Sequence, residues 1–114
     1  MFGKNTLSLG RVYDKVTFNE NGEKMVLHVN ADPARIVIGL SEAQKHLVTI
    51  TADTPDDERE KIARLFATVI FGEEQTQKLF DYYFGDPSCV VSACALYFSK
   101  RLSKLIAEAQ KKRK

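Results

Sequence analysis

The chain has 114 residues, the usual size of one domain with a single modest core. Its hydrophobic fraction of 44% and charged fraction of 28% are ordinary for a globular protein and argue against disorder over most of the chain. The net charge of +2 gives no overall field toward nucleic acid or an anionic membrane. No apolar run is long enough to span a membrane, and the start, MFGKNTLSLG, lacks the apolar core of a secretion signal, so we expect a cytosolic protein.

A β-hairpin is predicted at about residues 12–30. Apolar and polar residues alternate on both sides of a turn signal, and the apolar positions are Val16, Phe18, Met25, Leu27 and Val29. The turn signal is Asn21-Gly22, because both positions of a tight hairpin turn need positive φ. A further alternation at Leu7 and Leu9 offers a third strand at the edge of the hairpin.

Four helices are predicted after the hairpin. Each of the three prolines follows a good capping residue, in ADPAR, DTPDD and GDPSC, which places helix starts near Pro33, Pro55 and Pro87. Gly72 and Gly85 are suited to end the second and third helices. The predicted helices cover about residues 33–50, 55–71, 73–84 and 87–110, and a basic tail follows at 111–114.

The helical periodicity also predicts the core. Spacings of three and four residues give each helix one apolar face, formed by Ile36, Leu40, Ala43, Leu47 and Ile50; by Ile62, Leu65, Phe66, Val69 and Ile70; by Leu79, Phe80, Tyr83 and Phe84; and by Val91, Cys94, Phe98, Leu102 and Leu105. The predicted fold class is therefore α+β. It consists of one domain over residues 1–110, an N-terminal hairpin followed by a mostly α, four-helix part.

The sequence shows no constellation of catalytic residues. Glu73 and Glu74 are neighbours in a predicted helix and point about 100° apart, so they do not converge as an acid and a base must. Their place at a helix start, where the helix dipole favours carboxylates, explains them. The six glycines are scattered singly and form no phosphate-binding loop. We therefore expect no enzyme activity and no cofactor.

The cysteines and histidines do not predict a metal site. Cys89 and Cys94 are about 140° apart around the last helix, so they cannot easily form a disulfide, and only His28 and His46 could join them as ligands. The helical phase predicts that Cys94 points inward and Cys89 outward. A thiol near a helix start can have a lowered pKa, but no histidine base lies near Cys89 in the sequence.

Some apolar residues fall outside the predicted core faces, and they are the candidate partner-binding residues. They are Ile38, Phe71, Tyr82 and Leu96, one from each helix. Tyr82 is expected to be the ring most free to meet another chain, because tyrosine combines an apolar face with a hydroxyl that tolerates water. The alternative is that a compact small bundle covers its helices on two sides, which would bury these residues within the fold.

The basic C-terminal segment, KRLSKLIAEAQKKRK, raises the question of nucleic-acid binding. Cations in the last turn of a helix also complement the helix dipole, and a charged tail keeps a small protein soluble. No aromatic residue follows Leu102, so the segment lacks the base-stacking partners of single-strand binders. Nucleic acid is therefore the less favoured partner.

Three segments, HVNADPARIVIGLSEAQKHL, ARLFATVIFGEEQTQKLFDYYFGDPSCV and YFSKRLSKLIAEAQKK, resemble small proteins of tail-gene clusters in phages and prophages of Gram-positive bacteria. In particular, the FGEEQ and KL stretch is similar to the tail assembly chaperones of long-tailed, non-contractile phages. The resemblance covers about residues 16–112. The N-terminal hairpin departs from the mostly helical examples, which leaves open another structural role in the same gene cluster.

The resemblance implies a protein that binds the tape measure protein, keeps it soluble and recruits tail tube subunits. Such a protein works in the cytoplasm of the host bacterium and is absent from the finished virion. The apolar residues outside the core faces, apart from the resemblance, also make a homo-oligomer an expectation. The family provides no functional residue to transfer position by position. The alternative function is a small prophage DNA-binding or regulatory protein that uses the basic C-terminal segment.

Overall fold

The predicted architecture is confirmed: a β-hairpin is followed by four helices, so the fold is α+β. The computed structural model describes residues 10–20 and 22–112. The elements are β1 (Val12–Glu20), β2 (Glu23–Ala31), α1 (Pro33–Leu47), α2 (Asp56–Phe71), α3 (Glu73–Tyr82), α4 (Pro87–Tyr97), a π-helical segment (Phe98–Leu102) and α5 (Ser103–Lys112). The last three are continuous and correspond to the single last helix of the prediction. The expected third strand at Leu7 and Leu9 lies outside the described residues.

The hairpin has the predicted register and turn. β1 and β2 pair antiparallel, with Val16 opposite Leu27 and Glu20 opposite Glu23, so that two residues make the turn. Gly22 has a φ of 77°, which is the left-handed conformation that this turn requires. Because side chains alternate between faces, the even-numbered residues of β1 share one face with the odd-numbered residues of β2. That face packs on the helices.

Helix starts follow the predicted capping chemistry. The Asp32 carboxylate accepts a hydrogen bond from the Ala34 N–H at the start of α1, and the Asp86 carboxylate accepts one from the Ser88 N–H at the start of α4. α2 begins one residue later than predicted, since Pro55 is its capping residue and makes no side-chain bond. Side-chain oxygens and proline thus fix where these helices begin.

Two helices end earlier than predicted. α1 ends at Leu47 rather than near residue 50. Just beyond this end, the Thr49 hydroxyl donates to the His46 carbonyl over 2.6 Å, and this hydrogen bond competes with continuation of the helix. α3 ends at Tyr82, because Phe84 has a φ of 57° and Gly85 a φ of 76°. The Gly85 N–H bonds the Phe80 carbonyl at 2.7 Å and the Phe84 N–H bonds the Asp81 carbonyl at 3.2 Å, the pattern of a Schellman motif.

The core lies between the inner face of the hairpin and the helices, with α2 at its centre. α2 packs against α1, α3, α4 and β2. The most deeply buried large side chains include Leu27, Ile36, Leu79, Val90 and Leu102. Burying such side chains is worth roughly 1.5–3 kcal/mol each, so this cluster is the main source of stability. None of the described helices has the length and hydropathy needed to cross a lipid bilayer.

Three residues that were predicted to be in the core are exposed: Leu65 at 43%, Phe98 at 37% and Phe84 at 84%. Phe84 leaves the core because α3 has already ended before it. Phe98 leaves because the last helix changes phase. The buried residues of the last helix are Val90, Cys94, Tyr97, Leu102, Ile106 and Ala109. The step from Tyr97 to Leu102 is five residues long, instead of three or four, and it spans the π-helical segment. A π turn holds one extra residue and rotates everything beyond it.

Candidate functional site

Two of the four predicted partner-binding residues are exposed and two are not. Ile38 is 66% exposed and Leu96 is 56% exposed, whereas Phe71 is only 6% exposed. The expectation that Phe71 lies outside the core is wrong, because α2 is covered on several sides and its buried arc is wider than one face. The Phe71 ring stacks on Tyr97 with centroids 5.8 Å apart and meets Phe18 edge-on at 6.2 Å.

Tyr82 is half-buried and bound to its own hairpin, so the expectation that it is the ring most free to meet another chain is wrong. Its hydroxyl accepts the Glu20 N–H at 2.6 Å and donates to the Glu23 carbonyl at 2.6 Å. Its ring lies 6.2 Å from Phe18 and 5.1 Å from Tyr83. Tyr82 therefore attaches the hairpin turn to α3.

The described part of the chain has a groove of about 660 Å³ between β1 and α4, which we name the strand-edge groove. Residues 14–20 of β1 line one side, and Ser92, Ala93 and Leu96 are on the other. α4 runs antiparallel to β1: its start lies near Glu20, and the π-helical segment beyond its end bonds Asp14. Leu96 is the predicted partner-binding residue that this groove contains.

The backbone of β1 is open on the side of this groove. Glu20 and Glu23 flank a two-residue turn, so even-numbered residues of β1 direct their N–H and C=O groups to β2, and odd-numbered residues direct theirs outward. The outward groups belong to Tyr13, Lys15, Thr17 and Asn19. The Lys15 N–H donates to the Asp14 carboxylate. The outward backbone groups of Thr17 and Asn19 bond no backbone or side-chain group within residues 10–20 and 22–112.

On the outer edge of β2, side chains of the same chain bond the backbone. The Gln75 side-chain amide accepts the His28 N–H at 2.7 Å and donates to the His28 carbonyl at 2.7 Å. The Arg11 guanidinium donates to the Asn30 carbonyl at 3.2 Å. Side chains thus occupy positions on β2 that another strand would need, whereas β1 keeps its edge open at Thr17 and Asn19.

A buried carboxylate closes one end of the strand-edge groove. The Asp14 side chain is 5% exposed and accepts bonds from Arg101 at 2.7 and 2.8 Å and from the Tyr97 hydroxyl at 2.7 Å. The hydrogen bond from Arg101 lowers the pKa of Asp14, and burial opposes that shift. Burial and the neighbouring carboxylate raise the pKa of Tyr97. This contact was not predicted from the sequence. Asp14 shares the inward face of β1 with Val12 and Val16, and a charge on an apolar face is the signal that could have indicated a buried partner.

The cysteines have the environments predicted for them: Cys89 is exposed and Cys94 is buried. Cys89 lines the other end of the strand-edge groove, and its Sγ lies 3.4 Å from an Asp86 carboxylate oxygen. That hydrogen bond raises the pKa of Cys89, so the helix start does not activate this thiol. Burial raises the pKa of Cys94 to about 12.

A second apolar groove, of about 370 Å³, lies between α1, α2 and α4, and we name it the helical groove. Its apolar lining includes Val37 and Leu40 of α1, Phe66 of α2 and Phe98. Val37 is 43% exposed and Phe98 is 37% exposed. The phase change at the π-helical segment is what brings Phe98 to this groove. Ile38, on the next position of α1, lines neither groove.

No protein-family model, no curated protein and no solved structure matches this chain. The resemblance to tail assembly chaperones therefore stays a prediction. In the described ranges, no three or more His, Cys, Asp and Glu side chains are grouped so as to hold a metal ion. The two apolar grooves and the open strand edge are features of the described residues that a ligand could use.

Proposed function

We propose that the protein is a non-catalytic, protein-binding assembly factor of the phage-tail kind. In this proposal it binds the tape measure protein and tail tube subunits in the host cytoplasm and is absent from the finished virion. The observation that supports it most is the helical groove, where partly exposed apolar side chains from three helical elements face solvent together. The family resemblance supplies the identity of the partners.

The helical groove suits an amphipathic helix of a partner. Such a helix inserts apolar side chains spaced three and four residues apart into a groove between helices. Val37, Phe66 and Phe98 offer apolar contact area, and Ser41 and Gln44 supply polar groups at the side of α1. A long helical protein with an exposed apolar stripe would remain soluble while this groove covers part of the stripe.

The test is co-purification of the tape measure protein with variants of the groove. Val37→Lys places a charge in the helical groove and should weaken binding at least about 10-fold, since an unpaired charge in an apolar contact costs more than 1.4 kcal/mol. Val48→Lys is the matched control, because Val48 is 72% exposed and lies outside the groove. Equal capture by both variants would remove the helical groove from the proposal.

The salt dependence of the same co-purification distinguishes this function from DNA binding. Apolar contacts persist or strengthen when salt rises, whereas phosphate contacts weaken steeply. Binding to the tape measure protein should therefore be retained between about 50 and 200 mM salt, a range over which phosphate-driven binding falls by orders of magnitude. A salt-sensitive complex with duplex DNA, and no complex with the tape measure protein, would instead support the prophage regulator.

A further inference from the structure

We propose that the strand-edge groove binds an extended segment of another protein, which pairs with β1 as an added strand. The segment has five to seven residues, runs antiparallel to β1, is apolar at alternate positions and carries an acidic side chain near its C-terminal end. This site is separate from the helical groove, and the inference does not rest on the proposed function. It follows from the backbone, the groove wall and the charges.

The backbone of β1 sets the kind of ligand. The outward C=O of Lys15 and the outward N–H and C=O groups of Thr17 and Asn19 alternate acceptors and donors along the groove, and only another extended chain matches that row. Residues 14–20 line the groove and span about 20 Å at roughly 3.3 Å per residue. That length sets the size of the segment.

The groove wall sets the side-chain pattern. Alternate side chains of an added strand would point toward α4 and contact Ala93 and Leu96. Leu96 is 56% exposed, so covering it removes apolar surface from water. The side chains between them would point to solvent, together with Thr17 and Asn19. An alternating apolar and polar segment fits both faces.

The charges set its direction. Lys15 and Lys100 line the end of the groove near the start of β1, and neither forms a salt bridge with any residue the structure describes. Arg101, at the same end, is held by Asp14. Glu20 lies at the other end. The C-terminal end of an antiparallel strand lies beside the start of its neighbour, so an acidic side chain there lies at the end of the groove that carries the two lysines.

A second copy of this chain fits the groove less well than a peptide does. The β1 of another copy brings its own α4 against the same edge, so both helices would need the space beside one pair of strands. An extended segment without a helix on that edge has no such conflict. The geometry therefore favours a peptide over self-pairing.

The test uses the acetylated hexapeptide Thr-Val-Thr-Val-Thr-Asp and the full chain. Binding should slow alkylation of Cys89, which lines the groove, and should protect the amides of Thr17 and Asn19 from hydrogen exchange. Buried Cys94 is the internal reference for alkylation. Replacing the peptide's Asp with Lys should weaken binding about 10-fold, and Lys15→Glu with Lys100→Glu should reverse that preference.

Backbone methylation tests the pairing itself. Two peptides methylated on alternate backbone nitrogens, shifted by one residue, have the same side chains. The one whose methyl groups face β1 should lose binding, and the other should retain it, because only the first loses its donors to β1. Equal binding of the two, or no protection at millimolar peptide, would overturn the proposal.

Two other occupants would also overturn it. If the amides of Thr17 and Asn19 are already protected in the free chain and lose that protection when residues 1–9 are deleted, the chain's own start occupies the edge. If their protection rises with protein concentration alongside a heavier sedimenting species, a second copy occupies it. Free exchange of these amides until peptide is added supports the proposal.

Discussion

The Arg101 guanidinium binds both carboxylate oxygens of Asp14, at 2.7 and 2.8 Å, across 87 positions of the chain. The Tyr97 hydroxyl donates to the same carboxylate at 2.7 Å. Asp14 is nearly buried whereas the Arg101 side chain is 58% exposed, so the two partners are not equivalent. Together they attach the hairpin to the last helix at one end of the strand-edge groove.

Because Asp14 is more deeply buried than Arg101, replacing each of them should lower the stability of the protein by a different amount. Asp14→Asn should lower the free energy of unfolding by about 1–3 kcal/mol, because Arg101 can turn to water while the Tyr97 hydroxyl loses its charged acceptor. Arg101→Met should cost more, since it leaves a buried carboxylate without its cation. The double variant should be more stable than Arg101→Met alone. Urea unfolding of all three measures the order, and additive losses would show that the two residues are not coupled.

Acid should weaken the same contact. The pKa of Asp14 lies below its ordinary value of 3.8, so the unfolded chain takes up a proton before the folded chain does. The stabilisation is present above the ordinary value and is lost as pH falls through the folded value. Urea unfolding from pH 6 to pH 2 should show this loss, and Asp14→Asn should reduce it. Asp53→Asn, at an exposed carboxylate, is the control that should keep the wild-type acid dependence.

Tyr82→Phe tests the attachment of the hairpin turn to α3. It should lower the free energy of unfolding by about 1 kcal/mol, the net worth of hydrogen bonds from one hydroxyl, and speed exchange of the Glu20 amide. Tyr82→Ala should cost about 2 kcal/mol because the ring contacts with Phe18 and Tyr83 are lost too. Tyr13→Phe is the matched control, as Tyr13 is a half-exposed tyrosine of the same hairpin. A neutral Tyr82→Phe would contradict the attachment.

Phe84→Gly should stabilise the protein. Phe84 has a φ of 57°, a conformation that costs roughly 1–2 kcal/mol for a residue with a Cβ, and its ring is 84% exposed. Glycine removes that cost but gains freedom in the unfolded chain, so the net increase should be about 0.5–1 kcal/mol in thermal melts. Phe84→Ala keeps the strained backbone and should bring no increase. A stabilising Phe84→Ala would mean that the ring, and not the backbone, is unfavourable.

Gly39→Ala should destabilise the protein even though alanine favours helices by about 1 kcal/mol. A Cβ at Gly39 would lie 2.7 and 2.8 Å from the two methyl carbons of Val69, and such overpacking costs about 1–3 kcal/mol. On a Val69→Ala background the cost should fall, because the two methyl carbons are gone and only the Cβ of residue 69, at 3.3 Å, remains in close contact. Thermal melts of the four chains test this, and an equal loss on both backgrounds would exclude the contact with the methyl carbons as the cause.

The elements of this fold could be predicted because their signals are local. Asn21-Gly22 specifies a two-residue turn through backbone sterics alone, and the register then follows residue by residue. Asp32 and Asp86 cap helices through bonds to residues only two positions away. Such signals do not depend on the rest of the chain, so the elements predicted from them are also present in the folded protein.

The candidate surfaces could be predicted only in part because burial depends on distant elements. Helical projection identified Ile38 and Leu96 as exposed, but it placed Phe71 and Tyr82 outside the core since it could not show which elements cover α2 and α3. The extra residue of the π turn also shifted Phe98 outward and Tyr97 inward. The sequence does contain a signal for that turn. The apolar positions before Tyr97 and those after Leu102 form one continuous buried face only if the step between these two residues is five.

The contrast between the two outer edges of the hairpin limits how the sheet can grow. Gln75 occupies the backbone of His28, which hinders strand addition on the β2 side. On the β1 side the groove is bounded by α4. Open-ended polymerisation, the usual hazard of an unpaired strand, is thereby disfavoured. An exposed edge of this kind can serve in recognition without seeding fibrils.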